Sequence, residues 1–593
     1  MATCAREDIS TADVGRVELA DLELETMEEM AVFASQQRNS ITGACRLPKE
    51  ALTSIFSFAQ AGWSPGQVHN HSVYPTESHW SLGWMDVTHV CSVWRKTALE
   101  TPSLWCHLSC MDLHPLSIPT LLTRSRGLPL SIFVGGRSLP IDCEDLEVNA
   151  TSSWLSKAVL RRTRQLVFEG VPDSYQKLWL ESLHHPMPLI ETFSVKHPRR
   201  LDEQDITATI SSGLFSGSAP ALRNVTLHSA ILSWDSVWFS HNLVSLNLYS
   251  DDYPDLGRGP LPHPGAPSQQ FYETLSSMMC LESLSLHNIY PALPELDNPQ
   301  ADWRVTLPAG FSTLDLHASC RYAELCIDFF NRLSVPFSAR VLLQVHTEKP
   351  VAFVEQFATP IERLFGLLDS DNVSSLIFSK FIIQSQSPAQ DTLSLLRRRF
   401  SDSMMSSMNW AWCSVYAGAK CLWTIPDDSD LEASLLPHIP LLPLNALQTI
   451  TIASNAAQAL SSPESWINNF SSAHSVHSLS IDYYDTLVLF DALTTTDAVV
   501  SNAPAEPAVF SLFPCLTTII LHVDPEEERS EDTLVELCTA LDVSLVDLLQ
   551  IRKEKGAPLQ TILVSDGLSQ WDVWSRAEDM TSVEFFRVVS GIM

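Results

Sequence analysis

His69, His71 and His79 lie close together in one Ser-, Pro- and Gly-containing stretch, and by count they could ligate a metal ion. We read them as loop histidines standing in solvent. The His184-His185 pair is followed by Pro186 and lacks a carboxylate partner. The 13 cysteines include no C-x-x-C. Cys106 with Cys110 and Cys320 with Cys326 have no histidine at zinc-ligand spacing, so reduced, mostly buried thiols are expected. No phosphate-binding Gly loop, dinucleotide fingerprint, H-E-x-x-H or G-x-S-x-G elbow occurs. The chain is therefore expected to carry no catalytic constellation, no cofactor and no metal. The residues with informative spacing are apolar, and they belong to elements that present a surface.

These elements run from Leu47 to Trp105. Pro48 suits a first helical position, where its missing N–H costs nothing. Leu52, Ile55, Phe56 and Ala59 follow at i, i+3, i+4 and i+7, the stripe of an amphipathic helix. Val87, Val90, Cys91, Trp94 and Ala98 form a second stripe, and Thr101-Pro102-Ser103-Leu104-Trp105 closes the segment. Helices this short cannot bury so much apolar surface alone. They need the rest of the chain or a partner.

The pattern L-P-x-E-x-L-x-x-I-F, then V-x-x-V-C-x-x-W-R-x-x-A, then T-P-S-L-W resembles an F-box, in particular the fungal F-box-like variety. The resemblance covers residues 46–108 and implies docking on a Skp-type adaptor that leads to a cullin ubiquitin ligase. It points to Leu47, Pro48, Leu52, Ile55, Phe56, Val90, Cys91, Trp94, Leu104 and Trp105 as adaptor-binding residues. An insertion, residues 60–81, separates the halves and is expected to loop out. A small helical cap packed on a larger domain would show the same apolar periodicity, but not these motif residues together.

Composition bounds the alternatives. The chain has 593 residues, 45% hydrophobic and 18% charged, which reads as globular. A net charge of −32 repels phosphate backbones, so nucleic-acid binding is not expected. The longest charge-free run, 433–463, is broken by Pro437, Pro440 and Pro443, so no membrane span is expected. Residues 1–40 carry an acidic, helix-favouring segment, Val17 to Gln37, with a partly disordered beginning expected. Without the basic-then-apolar layout of a signal peptide, the expected setting is cytoplasmic or nuclear.

Beyond Trp105 the sequence alternates short strands with helical stretches. The strands share one template, aliphatic-x-x-aliphatic-x-aliphatic. It recurs from Leu222, Leu243, Leu281, Phe311, Val373, Leu447, Val476, Leu516 and Leu559, with weaker copies at Leu166/Phe168, Phe193/Val195 and Leu343/Val345. Each strand turns alternate aliphatics into a core, with helices such as 271–280 and 532–549 outside. Spacing of roughly 20 to 45 residues is that of solenoid repeats. Residues 110–593 thus resemble an irregular leucine-rich-repeat-like solenoid, although His or Ser often replaces the Asn of that family's pattern. A doubly wound α/β domain would show the same alternation. One or two copies between Phe378 and Ile450 cannot be placed.

The fold class expected is therefore an α/β repeat: a helical F-box followed by an irregular solenoid. The function expected is a non-catalytic substrate receptor, the F-box holding the adaptor and the repeats holding an unknown protein client. An F-box-bearing scaffold outside any ligase is the alternative. Client contacts are expected along the strand face and its margin, at Ser245, Tyr249, Ser285, His287, Asp315 and His317.

Overall fold

The computed structural model describes residues 11–70, 77–110, 112–135, 154–171, 179–196, 208–210, 213–228, 230–232, 241–250, 268–291, 303–347, 350–365, 375–378, 382–386, 420–426, 435–452, 454–483, 486–496, 510–522 and 531–586. It divides into two compact units, Met1–Val225 with Ser236–Trp238, and Thr226–Asp235 with Phe239–Met593. Both are mixed α/β, built on parallel strands. Among the described residues no helix is long and apolar enough to cross a membrane.

The first unit opens with helix α1 (Thr11–Ser40), longer at both ends than the sequence suggests. Val17, Leu19, Leu22, Leu24, Met27 and Met30 all stand exposed on it. Its apolar residues are spread around the axis, so no single face gathers them for burial. The expected disorder of the extreme N-terminus falls on residues outside those described.

After a short 3₁₀ turn, Gly43–Arg46, helix α2 (Lys49–Gly62) begins with Pro48 as its N-cap. The inserted segment is not a loop throughout. Its first residues finish α2, and Gly66–Asn70 (β1) pairs antiparallel with Glu77–Ser81 (β2), Gly66 opposite Ser81. Trp84 donates its backbone N–H to the Trp63 carbonyl at 2.8 Å, bringing the two ends of the insertion together. The second apolar stripe then breaks in two. A 3₁₀ helix covers Gly83–His89, and α3 (Ser92–Leu99) restarts at Cys91, whose Sγ accepts the Trp94 N–H. A last 3₁₀ turn, Pro102–Trp105, closes this helical cap.

Four parallel strands follow in chain order: His107–Ser109 (β3), Leu130–Val134 (β4), Thr163–Glu169 (β5) and Thr192–Lys196 (β6). Helix α4 (Ile118–Arg124) precedes β4, and α5 (Lys157–Leu160) precedes β5. Strands β3 and β4 lie outside the repeat template and are legible only as short apolar alternations. Ala208–Ile210 (β7) and Asn224–His228 (β8) come next, the latter running across the boundary between units.

In the second unit the strands are Ala230–Leu232 (β9), Ser245–Tyr249 (β10), Ser283–His287 (β11), Val305–Thr306 (β12), Thr313–Ala318 (β13), Leu333–Ser334 (β14), Arg340–Thr347 (β15), Ser375–Phe378 (β16), Ile382–Gln386 (β17), Lys420–Pro426 (β18), Thr449–Ile452 (β19), Ser478–Asp482 (β20), Thr518–His522 (β21), Thr561–Ser565 (β22) and Ser582–Phe586 (β23). Helices α6 (Ser268–Ser277), α7 (Ala323–Arg332), α8 (Pro350–Phe365), α9 (Ser454–Ala459), α10 (Pro463–Phe470), α11 (Thr486–Thr494), α12 (Glu531–Glu554) and α13 (Val573–Ala577) alternate with them. Strands β10, β11, β13 and β15 pair parallel in chain order, as do β19 to β23. Between these runs the order inverts. β15 pairs with β18, β17 is antiparallel to both β18 and β16, and β16 pairs with β19. The unplaced stretch after Phe378 is thus β17 and β18, whose antiparallel step the template does not encode.

One hydrogen-bond device recurs between template copies. The carbonyl of the second template residue accepts from two successive N–H groups of the next copy. Val244 accepts from Glu282 and Ser283, Glu282 from Ser312 and Thr313, and Gln448 from His477 and Ser478, all at 2.8–3.1 Å. His477 does the same for Thr517 and Thr518, and Thr517 for Gln560 and Thr561. The template's three aliphatics are buried at each of these copies, so one local sequence sets core and ladder together. Buried cations hold some of the connecting carbonyls. Lys420 Nζ donates to Phe337 and Ala339, and the Arg552 guanidinium to Leu493 and Phe513.

Candidate functional site

The helical cap satisfies its own core. Leu52 and Phe56 of α2 turn inward with Trp84, Ala98, Leu104 and Trp105, all buried. The Trp84 and Trp105 rings meet at 5.0 Å, and Trp105 Nε1 donates to the Ala98 carbonyl at 2.8 Å. Gln60 Nε2 reaches the Leu104 carbonyl at 2.8 Å, fastening α2 to the closing turn. The Arg124 guanidinium covers the Trp105 face at 4.5 Å, and burial pushes its pKa below the usual arginine range.

Of the residues expected to bind an adaptor, Leu52, Phe56, Leu104 and Trp105 therefore lie inside the cap, where a partner would not touch them without opening it. Leu47, Pro48, Ile55 and Val90 are exposed, Val90 by 58%, and Cys91 and Trp94 are half-buried. Sequence reasoning missed Phe58, exposed by 77%, and Val93, also exposed. Phe58 stands one turn beyond Ile55, and that i, i+3 spacing is the signal that could have found it. Cys45 and Cys91 place their sulfurs 3.4 Å apart at the edge of this surface. Beneath the cap, Trp84, Trp105, Leu108 and Phe133 help line a cavity of about 690 Å³, with Asp112 taking a hydrogen bond from Ser109.

The second unit brings together all six residues expected on the strand face. In the β10–β11–β13 register, Asn247, Ser285 and Asp315 stand side by side, as do Tyr249, His287 and His317. Ser245 pairs with Ser283 in the same strands. The expectation of an open face is corrected at two positions. Ser285 and His287 are buried, His287 to 6% exposure. The physical reason is lateral packing. Ser285 Oγ lies 3.4 Å from Tyr249 Oη and 3.3 Å from Asp315 Oδ2, while His287 is sandwiched between the Tyr249 and His317 rings.

The rings continue as a ladder across adjacent strands. His228 stacks on Tyr249 at 4.4 Å between centroids, Tyr249 meets His287 at 4.2 Å, and His317 meets His346 at 5.2 Å. His317 Nδ1 is 3.2 Å from His287 Nδ1, and His317 Nε2 is 3.1 Å from His346 Nε2. A neutral His317 carries one ring N–H, so it donates to one neighbour and accepts from the other. Burial raises the Tyr249 phenol's pKa above its ordinary value. His228 and His346 were not among the expected residues. Both were visible in the sequence, His228 directly after the Leu227 copy and His346 directly after the Leu343/Val345 copy.

Of the loop histidines, His69 lies opposite Ser78 and His79 opposite Val68 in the β1–β2 hairpin, and His71 falls outside the described residues. Among the described residues, no three His, Cys, Asp or Glu side chains converge on one point. Compared with family models and with curated proteins, the chain matches none.

Proposed function

We propose that the chain is a substrate receptor of a Skp/cullin/F-box-type ubiquitin ligase. The helical cap docks on the Skp-type adaptor, and the strand face of a leucine-rich-repeat-like array holds a protein client. The observation that carries this reading is the cap's exposed apolar set: Leu47, Ile55, Phe58, Val90 and Val93 stand in solvent while Leu52, Phe56, Trp84, Leu104 and Trp105 are buried. Ile55 and Phe58 stand one helical turn apart on α2, as Val90 and Val93 do beside α3, and apolar side chains left in solvent in this way support an interface reading. The repeat reading draws its support from the shared carbonyl device and from strands that pair in chain order within each of two runs, β10 to β15 and β19 to β23, on either side of the inverted segment.

The mechanism is positional. Holding a client lysine near a charged conjugating enzyme raises its effective concentration and replaces a bimolecular encounter. The bond-making chemistry then resides on other subunits, in the cytoplasm or nucleus. Affinity purification from cells treated with a proteasome inhibitor tests the assignment. The expected result is recovery of both the adaptor and a cullin, lost with Ile55→Asp/Val90→Asp. Adaptor without cullin would favour a scaffold outside the ligase, and recovery of neither would overturn the proposal.

A further inference from the structure

We infer that His287 and His317 form a chelating pair for a borderline divalent transition-metal ion of the Zn²⁺ or Ni²⁺ class. The pair is built by register, because His287 and His317 stand opposite each other on the adjacent parallel strands β11 and β13. Their Nδ1 atoms face each other at 3.2 Å. An ion about 2.0–2.1 Å from both would subtend about 100° there, near the tetrahedral value that zinc adopts. Two imidazoles sharing such an ion sit with centroids about 5 Å apart, and these rings are 5.0 Å apart. A straight N–H···N bond of the same length would hold them at about 5.5 Å. The neighbouring His317–His346 pair, at 5.2 Å with a 3.1 Å nitrogen separation, is nearer to that hydrogen-bonded arrangement.

Of the remaining ring nitrogens, that of His317 has a hydrogen-bond partner and that of His287 has a carboxylate nearby. Metal-bound histidines usually give their second N–H to a carboxylate or other acceptor, which fixes the tautomer and raises ligand basicity. His287 Nε2 lies 3.7 Å from Asp315 Oδ2, beyond hydrogen-bond reach but close enough for the carboxylate's charge to favour a bound cation, and that carboxylate is held by the Ser285 hydroxyl at 3.3 Å. His317 Nε2 lies 3.1 Å from His346 Nε2, which accepts from it once His317 Nδ1 is ligated. The chain thus supplies two ligands, leaving positions for water or for a donor from a bound protein. Imidazole donors suit Zn²⁺, Ni²⁺ and Cu²⁺ over Mg²⁺ or Ca²⁺. His317 is half-buried, which opens the pair from its side. This inference does not depend on the ligase reading.

Isothermal titration of the full chain with Ni²⁺ and with Zn²⁺, beside His287→Gln/His317→Gln, provides the test. The double variant should lose one equivalent of each ion while its circular dichroism stays unchanged. Asp315→Asn should keep that equivalent but weaken it by about tenfold or more. If the double variant fails to fold, Asp315→Asn and His346→Gln decide the matter through the same loss of affinity. Identical stoichiometry and affinity in wild type and the folded variants would overturn the assignment, as would a wild type that binds neither ion.

Discussion

The Phe56 ring and the Trp94 indole meet with centroids 5.3 Å apart and planes tilted by 60°. The same indole donates Nε1–H to the Ala44 carbonyl at 3.4 Å. Trp94 therefore joins α2, α3 and the turn before α2, and it is part of the cap's fold as well as of its surface. Trp94→Ala should destabilise the cap by about 2–3 kcal/mol, at or just below the lower end of the range for buried aromatic truncations, because the side chain is only half-buried. Hydrogen exchange at the α2 and α3 amides should show the loss. Unchanged protection would place Trp94 outside the cap core.

Gly83 and Gly62 make a paired test of the insertion's junctions. Gly83 has φ +53°, and a Cβ there would lie 2.5 Å from the Ser64 and Pro65 backbone. Gly83→Ala should cost about 2 kcal/mol or more, through strain and backbone displacement. Gly62 ends α2 with open space around it, so Gly62→Ala should be neutral or stabilise by up to about 1 kcal/mol. Chemical denaturation followed by tryptophan fluorescence would separate the two, and equal effects would contradict this geometry.

Lys420 gives a pH signature. Burial lowers its ammonium pKa to about 8, from 10.5 in the unfolded chain. Between those values the unfolded state binds the extra proton, so stability rises with pH. Below pH 8 both states are protonated and the burial penalty stands in full. Lys420→Met should remove a slope of at most about 1.4 kcal/mol per pH unit between pH 8 and 10. Urea midpoints at pH 7.5 and 9.5 would show it, and parallel pH trends in the two proteins would contradict it.

On the strand face, substitutions should be confined to side chains a partner can reach. Ser245 and Tyr249 are half-buried, whereas Ser285 is buried between neighbours. Ser245→Arg/Tyr249→Ala should reduce client capture by about tenfold or more, as loss of an interface anchor does, with adaptor binding unchanged. Proximity labelling that recovers the same clients at the same yield would move the client site elsewhere.

Much of this fold is legible in the sequence because one template fixes both burial and pairing. Leu246 and Leu248, Leu284 and Leu286, and Leu314 and Leu316 fall into the core where alternation places them. The template is silent where the chain departs from it. β17 enters antiparallel, so the inverted strand order could not be read, whereas His346 follows Val345 just as His287 follows Leu286 and was open to the same reading. In the cap, periodicity marks apolar residues without telling core from surface. Phe56 and Ile55 are neighbours on one stripe, yet only Phe56 meets Trp94 while Ile55 faces solvent. Likewise, lateral packing of Tyr249, His287 and His317 depends on cross-strand register, which no single strand encodes.

The central claim is that the exposed face of the cap is a docking surface for a Skp-type adaptor. Direct titration of the purified full chain with purified adaptor tests it, with Ile55→Asp/Val90→Asp as the comparison because both side chains are exposed and outside the cap core. The account predicts saturable binding by the wild type. It also predicts affinity weakened by about 30-fold or more in the variant, with circular dichroism unchanged. No binding by the wild type, or equal binding by the folded variant, would contradict it.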